Sequence, residues 1–226
     1  MPVHLQREID KLKKQILSLC AITEENVRRA VESFTGRNVE LAAKVISTDE
    51  EIDHAEVDVE EECLKILALH QPVAVDLRYI IAMLKINHDL ERIGDHAVNM
   101  AEYAILQASH PPLPAAFDFD DLPGKVEAML QASLDALMEL DVELARNVWR
   151  SDDAIDAINR QMFQQAEQII AAHPEHWRTV LLCLSVSRVL ERIADHAANI
   201  AKDVIYLVEG EIVRHRGREF KQTSSS

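Results

Sequence analysis

Glu91-Arg-Ile-Gly-Asp95-His-Ala-Val-Asn99-Met-Ala101 recurs one hundred residues later as Glu191-Arg-Ile-Ala-Asp195-His-Ala-Ala-Asn199-Ile-Ala201, with eight of the eleven positions identical. A match of that length at that separation marks the chain as an internal duplication. Both copies keep an acidic pair at i, i+4 within an apolar helical pattern. The shared feature is therefore chemical as well as structural.

The duplication extends outward on both sides. Val39-Glu40-Leu41-Ala42 matches Val142-Glu143-Leu144-Ala145, and Asp49 to Asp53 matches Asp152 to Asp156. Apolar residues at three- and four-residue steps predict a first long helix from Leu5 to about Gly36, a second over 39–70, and a third from near Val73 that ends before Pro111. The pattern restarts with helices over 123–139, 142–172 and 176–209. Pro72 and Pro174 mark the two hairpins, because proline cannot continue a helix. Connections this short force antiparallel neighbours, so the expected fold is all-α: two tandem three-helix bundles, six long helices in all. Residues 5–108 form the first repeat, the proline-rich stretch 109–123 the linker, and 124–213 the second repeat. The basic, then Ser/Thr-rich tail 214–226 reads as disordered.

Composition agrees with helix. Only five glycines stand in 226 residues, and aromatic residues make up 4%, which favours helices over sheet. The formal charge of −15 argues against a nucleic-acid surface, which needs basic residues to displace counterions. Cations or basic protein surfaces are the better partners. Cys20, Cys63 and Cys183 lie far apart and read as reduced packing residues. No apolar run approaches the length of a membrane span and no secretion signal opens the chain, so a cytoplasmic protein is expected, meeting a membrane only through its partners.

Positions seven apart on the third helix read Leu77, Leu84, Glu91, Val98, Ile105, and on the sixth Trp177, Leu184, Glu191, Ala198, Ile205. These seams are expected to face inward, with a glutamate at the middle of each. Measured from the hairpins, Asp49 and Asp53 on helix two come level with Asp95 and Glu91 on helix three, since antiparallel helices rise equally per residue. Asp152 and Asp156 stand in the same relation to Asp195 and Glu191. Four carboxylates so placed repel one another, and desolvation raises their pKa values unless cations neutralise them.

Two metal sites are therefore expected, one at Asp49, Asp53, Glu91 and Asp95, the other at Asp152, Asp156, Glu191 and Asp195. Oxygen-only ligation favours magnesium, manganese or iron over a thiolate-type zinc site, with zinc as a further candidate. A lone Glu-x-x-x-Asp is more often a solvated helix face. Four such pairs in register reverse that preference. His54, His96 and His196 point about 100° away from the adjoining acids, which suits packing or surface roles. Arg92 and Arg192 are expected to pair with neighbouring acids. Asn99 and Asn199 read either as outer hydrogen-bonding groups or as weak ligands.

These acidic pairs, the Glu-Arg-Ile-(Gly/Ala)-Asp motifs with their asparagines, and the two-fold repeat from about Leu5 to Val213 resemble the PhoU family of bacterial phosphate uptake. The resemblance implies a soluble six-helix protein, often a homodimer, whose acidic motifs hold multinuclear metal clusters. It implies a non-enzymatic relay that contacts the phosphate-sensing histidine kinase and the ATPase subunit of the phosphate ABC transporter. By that contact the starvation response is repressed when phosphate is plentiful. Asn159 stands where the first repeat has Glu56, and Lys202 where it has Glu102, which points to a second site holding fewer ions or holding them less tightly. Two other readings of the residues remain open at this point: a carboxylate-bridged di-metal enzyme, and a purely structural bundle. The Glu-x-x-His ligand pairs of bundle oxidases are missing from both copies.

Overall fold

The computed structural model describes residues 3–113, 117, 119 and 121–213. They form six α-helices: α1 (Val3–Thr35), α2 (Val39–His70), α3 (Ala74–Ala108), α4 (Leu122–Glu139), α5 (Val142–Ala172) and α6 (Trp177–Glu209). A single 3-10 turn, Pro174–His176, leads into α6. Strands are absent among the described residues. The tail 214–226 and parts of the linker lie outside them.

The same chemistry opens the second helix of each repeat. The Asn38 side chain accepts from the Leu41 backbone N–H at 3.0 Å, and Asp141 accepts from Leu144 at 3.0 Å, each satisfying one of the donors a helix start leaves unpaired. Each helix then buries one flank on its neighbours. Within the first repeat α1, α2 and α3 pack on one another; within the second, α4, α5 and α6 do so.

The two repeats meet through α3 and α6, which run antiparallel at the centre of the molecule. Lys85 of α3 lies 3.5 Å from Asp203 of α6, and the Asp89 carboxylate lies 2.7 Å from His196 Nδ1. Small residues on both helices, including Ala97, Ala101, Ala197 and Ala201, are fully buried and permit close packing. With α2 beside α3 and α5 beside α6, the four helices form a layer in the order α2, α3, α6, α5. Because α1 and α4 touch each other, both must lie on the same side of that layer. Its other face is open.

The linker is more than a tether. α4 has 18 residues against 33 in α1, and Phe117 occupies part of the space left, 8% exposed. Phe119 stands edge-on to Phe34 of α1, ring centroids 6.2 Å apart. The three cysteines are free and buried, and desolvation pushes each thiol up to about 12, so they serve as packing groups.

One expectation requires correction. The heptad seams do not face inward along their length: Leu77 is 39% exposed, Ile105 36% and Trp177 47%, whereas Ile205 is fully buried. The cause is geometric. An α-helix turns 3.6 residues, so positions seven apart drift by about 20° per heptad, and over four heptads the stripe rolls from the open face into the core on α6. On α3 the buried surface is instead carried by residues such as Ile80, Met83, Leu90, Ile93 and Ala97, which meet α1, α2 and α6. The glutamate stripe is what remains uncovered.

At Gly94 the side chains of α2 come close to the backbone of α3. A Cβ built there would sit 3.2 Å from Ile52 Cγ2 and 3.5 Å from Asp49 Oδ1, whereas the second repeat carries the buried Ala194 at the matching position. Gly94→Ala is expected to lower stability by about 1–3 kcal/mol through overpacking, despite the better helix propensity of alanine. Ala194→Gly should cost about 1 kcal/mol by propensity alone. Urea unfolding of both variants measures the difference; a stabilised Gly94→Ala would show that α2 and α3 are not held at this spacing.

Candidate metal sites

On the open face, α2 carries Asp49, Asp53 and Glu56 along one stripe, and α3 faces them with Glu91 and Asp95. The acids lie in a half-exposed groove rather than in the core: the side chains of Glu91 and Asp95 are 25% and 37% accessible. Asp49 lies against the bare backbone of Gly94. Partial desolvation there, together with the charges of Asp53 and Asp95, raises its pKa from 3.8 to about 6. Burial and the neighbouring Asp95 push Glu91 up as well. Glu56 is also raised, by desolvation and then by Glu60.

The second repeat reproduces the groove between α5 and α6. Desolvation and the charge of Asp195 raise Asp152 to about 6. Glu191 and Asp195 are each raised by burial and by Asp156. Each of the eight acids expected from the sequence thus lies in one of two grooves and takes part in mutual repulsion with others of its own groove. Among the described residues no three His, Cys, Asp or Glu side chains already close around a common point. Donor chemistry nonetheless fits a hard cation: every group is a carboxylate oxygen, and the cost of charging Asp49, Glu91, Asp152, Glu191 and Asp195 beside other acids is one that a cation removes.

Neighbouring groups hold these acids in place. Arg92 Nη1 donates to Asp95 Oδ2 at 2.7 Å, the pairing expected from the sequence, and His88 Nδ1 lies 3.7 Å from Glu91. Asn99 donates to the backbone carbonyl of Asp95 rather than pointing its amide at the groove. His54 Nδ1–H donates to the Glu50 backbone carbonyl at 2.7 Å. His96 and His196 stack in the α3–α6 interface, ring centroids 5.5 Å apart, so all three histidines serve packing or surface roles.

Two further residues were not among the sequence-derived ligands. Asn87 Nδ2 donates to the Glu56 backbone at 2.9 Å and to its carboxylate at 3.2 Å, fixing a fifth acid at the rim of the first groove. The signal for Glu56 was its position, seven residues after Asp49 on the same stripe. The second copy inverts the arrangement: Asn159, standing for Glu56, donates to Glu191 and accepts from Ser187 Oγ at 3.0 Å. Asp89 was the other omission. It is 7% exposed and receives His196 and, at 3.5 Å, Asn199, tying the second groove's helix to α3. The signal there was an aspartate where the other copy has Val189.

A duplicated helical bundle with two carboxylate grooves on one open face defines a class of proteins by fold and by the geometry of that face. Comparison with known proteins makes that specific. The PhoU domain model matches residues 16–104 and again 120–204, and the chain belongs to the PhoU family. It is 39% identical over 212 residues to the phosphate-specific transport system accessory protein PhoU homolog of Aquifex aeolicus, covering 94% of this chain and 96% of that one. It is 33% identical to PhoU homolog 1 of Thermotoga maritima, covering 92% and 90%. The crystal structure of PhoU from Pseudomonas aeruginosa superposes with a TM-score of 0.88 at 34% identity, covering 91% of this chain and 99% of that one. That of the phosphate transport system regulatory protein PhoU from Streptococcus pneumoniae gives 0.82 at 27%, covering 92% and 99%. These relatives are named as accessory or regulatory proteins, not as enzymes. Among the described residues no helix is long and apolar enough to cross a membrane.

The raised acids have a consequence for stability. Folded Asp49 and Asp152 titrate near 6 against an ordinary 3.8, so between about pH 4 and 6 the folded form holds protons that the unfolded chain has released. Stability therefore falls as pH rises through that window. His96 opposes this trend: burial, then the charge of His196, lowers it from 6.5 to about 4, so its contribution grows as pH rises. The double variant Asp49→Asn, Asp152→Asn isolates the carboxylate part. In chelator it should gain about 1 kcal/mol per site over the parent on going from pH 4 to pH 7, the shift being discounted for solvent screening. Urea unfolding at the two pH values measures the change, and an unchanged difference would remove the repulsion from the account.

Proposed function

We propose that this chain is a metal-dependent regulatory adaptor of phosphate homeostasis, acting in the cytoplasm as a homodimer. Its partners in this reading are the phosphate-sensing histidine kinase and the ATPase subunit of the phosphate ABC transporter, through which it represses the starvation response. Family membership and the relatives' names as accessory proteins of phosphate-specific transport support the phosphate connection. The observation that carries the metal part is the duplicated groove in which Asp49 and Asp152 are each driven to about 6 beside further acids.

Asp49, Asp53, Glu91 and Asp95 hold the first cluster in this reading, and Asp152, Asp156, Glu191 and Asp195 the second. Iron, manganese or magnesium fits the oxygen donors, with zinc as a further candidate. When bound, the cations supply positive charge that cancels the repulsion and links the two helices of each hairpin. The protein's own residues set how the carboxylates are presented. Asn87 orients Glu56, Arg92 holds Asp95, and Asn159 holds Glu191. The acidic remainder of the surface steers basic patches on partners toward it, an attraction that weakens with salt.

Metal analysis of purified protein tests the sites: Glu91→Ala, Asp95→Ala should empty the first groove and leave the second filled. Unchanged metal content in that variant would remove the first site. A starvation reporter tests the regulation. Deleting the protein should leave the reporter on in abundant phosphate, and binding to the kinase or ATPase should fall about ten-fold or more between low and physiological salt. A silent reporter with no binding to either protein would overturn the functional reading even if both grooves hold metal.

A further inference from the structure

The two repeats keep their acids but differ along the strip that runs from each hairpin to its groove. On the open face of the first repeat this strip carries Val57, Glu60, Leu77 and His88. The matching positions of the second repeat are Arg160, Phe163, Trp177 and Arg188. Every one of the four changes is toward arginine or an aromatic ring.

These side chains form one surface. Trp177, Leu181, Leu184 and Arg188 follow at i, i+4, i+7 and i+11 on α6, a single face about 16 Å long. The Arg188 guanidinium lies 5.3 Å from the Phe163 ring centroid of α5, and that of Arg178 lies 5.2 Å from Trp177. Trp177 is 47% exposed, Leu181 45% and Phe163 39%. Arg160, Arg178, Arg188 and Arg192 are all exposed. Among the described residues none of these four forms an ion pair, although the chain carries 39 acidic side chains. Arg178 and Arg188 lie over aromatic rings, and Arg188 and Arg192 act on Glu191 through their charge without closing a salt bridge to it. In the first repeat, by contrast, Arg92 is bound to Asp95 at 2.7 Å.

We propose that the α5–α6 strip centred on Trp177, Leu181 and Phe163 is a docking surface for an acidic amphipathic helix of a partner protein. Exposed Trp, Phe and Arg make up the composition on which interface energy concentrates. Leucines on the docking helix, spaced at i, i+4, i+7 and i+11, match the apolar stripe, and flanking glutamates meet Arg160, Arg178 and Arg188. Charge selects this occupant over others. An anionic membrane or a phosphate polymer extends beyond the strip onto Glu191, Asp156 and Asp195, whose carboxylates repel it, whereas a helix of about three turns ends before them. This surface is separate from the acidic face that basic patches meet, and it does not depend on whether the grooves hold metal.

The test uses the full chain and a fluorescein-labelled, helix-stabilised peptide of about 12 residues, or about three turns, with leucines at those spacings and glutamates beside them. A control peptide replaces every glutamate with lysine. Fluorescence polarisation should show the acidic peptide binding at least about ten-fold more tightly than the basic one. Arg178→Glu with Arg188→Glu should weaken it about ten-fold or more, and Leu77→Ser in the first repeat should leave it unchanged. All these side chains are at least partly exposed, and a thermal melt confirms that each variant is folded. Equal affinity for the two peptides, no effect of the arginine reversals, or undetectable binding would overturn the proposal. So would tighter binding to phosphatidylglycerol vesicles than to the acidic peptide. Loss of a dimer in sedimentation on reversing the two arginines would assign the strip to a second copy instead, and would also overturn it.

Discussion

The antiparallel packing of α3 against α6 is the contact on which the molecule depends. Because each of these helices also packs on two others of its own repeat, most of its circumference is buried. Only one stripe on each can bear charge without desolvating it fully. The glutamates and aspartates lie on that stripe, where they keep part of their hydration yet remain close enough to raise one another's pKa. Burying the acids deeper would neutralise them; exposing them fully would screen their repulsion. A half-covered groove does neither.

The same contact is unequal across the pseudo-two-fold. Asp89 takes His196 and Asn199, while the matching Val189 leaves His96 buried with Nδ1 unpartnered. Lys85 meets Asp203, whereas the equivalent positions are Ser185 and Tyr103. One half of the interface is therefore polar and directional and the other is mostly a packing contact. These partly buried polar contacts are met only in the observed alignment of the two repeats, and pairs of this kind add little net stability.

The fold was legible in the sequence because its signals are local. Apolar spacing, Pro72 and Pro174, and the match of Asp49–Asp53 to Asp152–Asp156 place the helices within a residue or two of their observed ends. The pairing of the hairpins follows from equal rise along antiparallel helices. What periodicity could not supply is which face of α3 and α6 is covered, since that depends on how the repeats dock and on the slow roll of a heptad stripe around a 3.6-residue helix. Leu77 and Trp177 were expected inside for that reason. Glu56 and Asp89 required knowledge of their partners, Asn87 across the hairpin and His196 across the repeat boundary, and neither is near in sequence.

The two grooves are not copies in charge. Asn159 replaces an acid in the second, and Lys202 reaches toward it, donating to Asn199 at 3.3 Å and offsetting part of the rise in the pKa of Asp152 and Asp195. Part of the second groove's repulsion is thus already cancelled by the protein, which in the metal reading gives its ions a weaker hold. Anomalous diffraction from crystals of the protein soaked in limiting manganese, collected at the manganese edge, tests the central claim most directly. Peaks should appear in the α2–α3 groove first and in the α5–α6 groove at higher metal, each beside the named carboxylates. Crystals that take up manganese elsewhere, or show no anomalous peak in either groove at saturating metal, would contradict it.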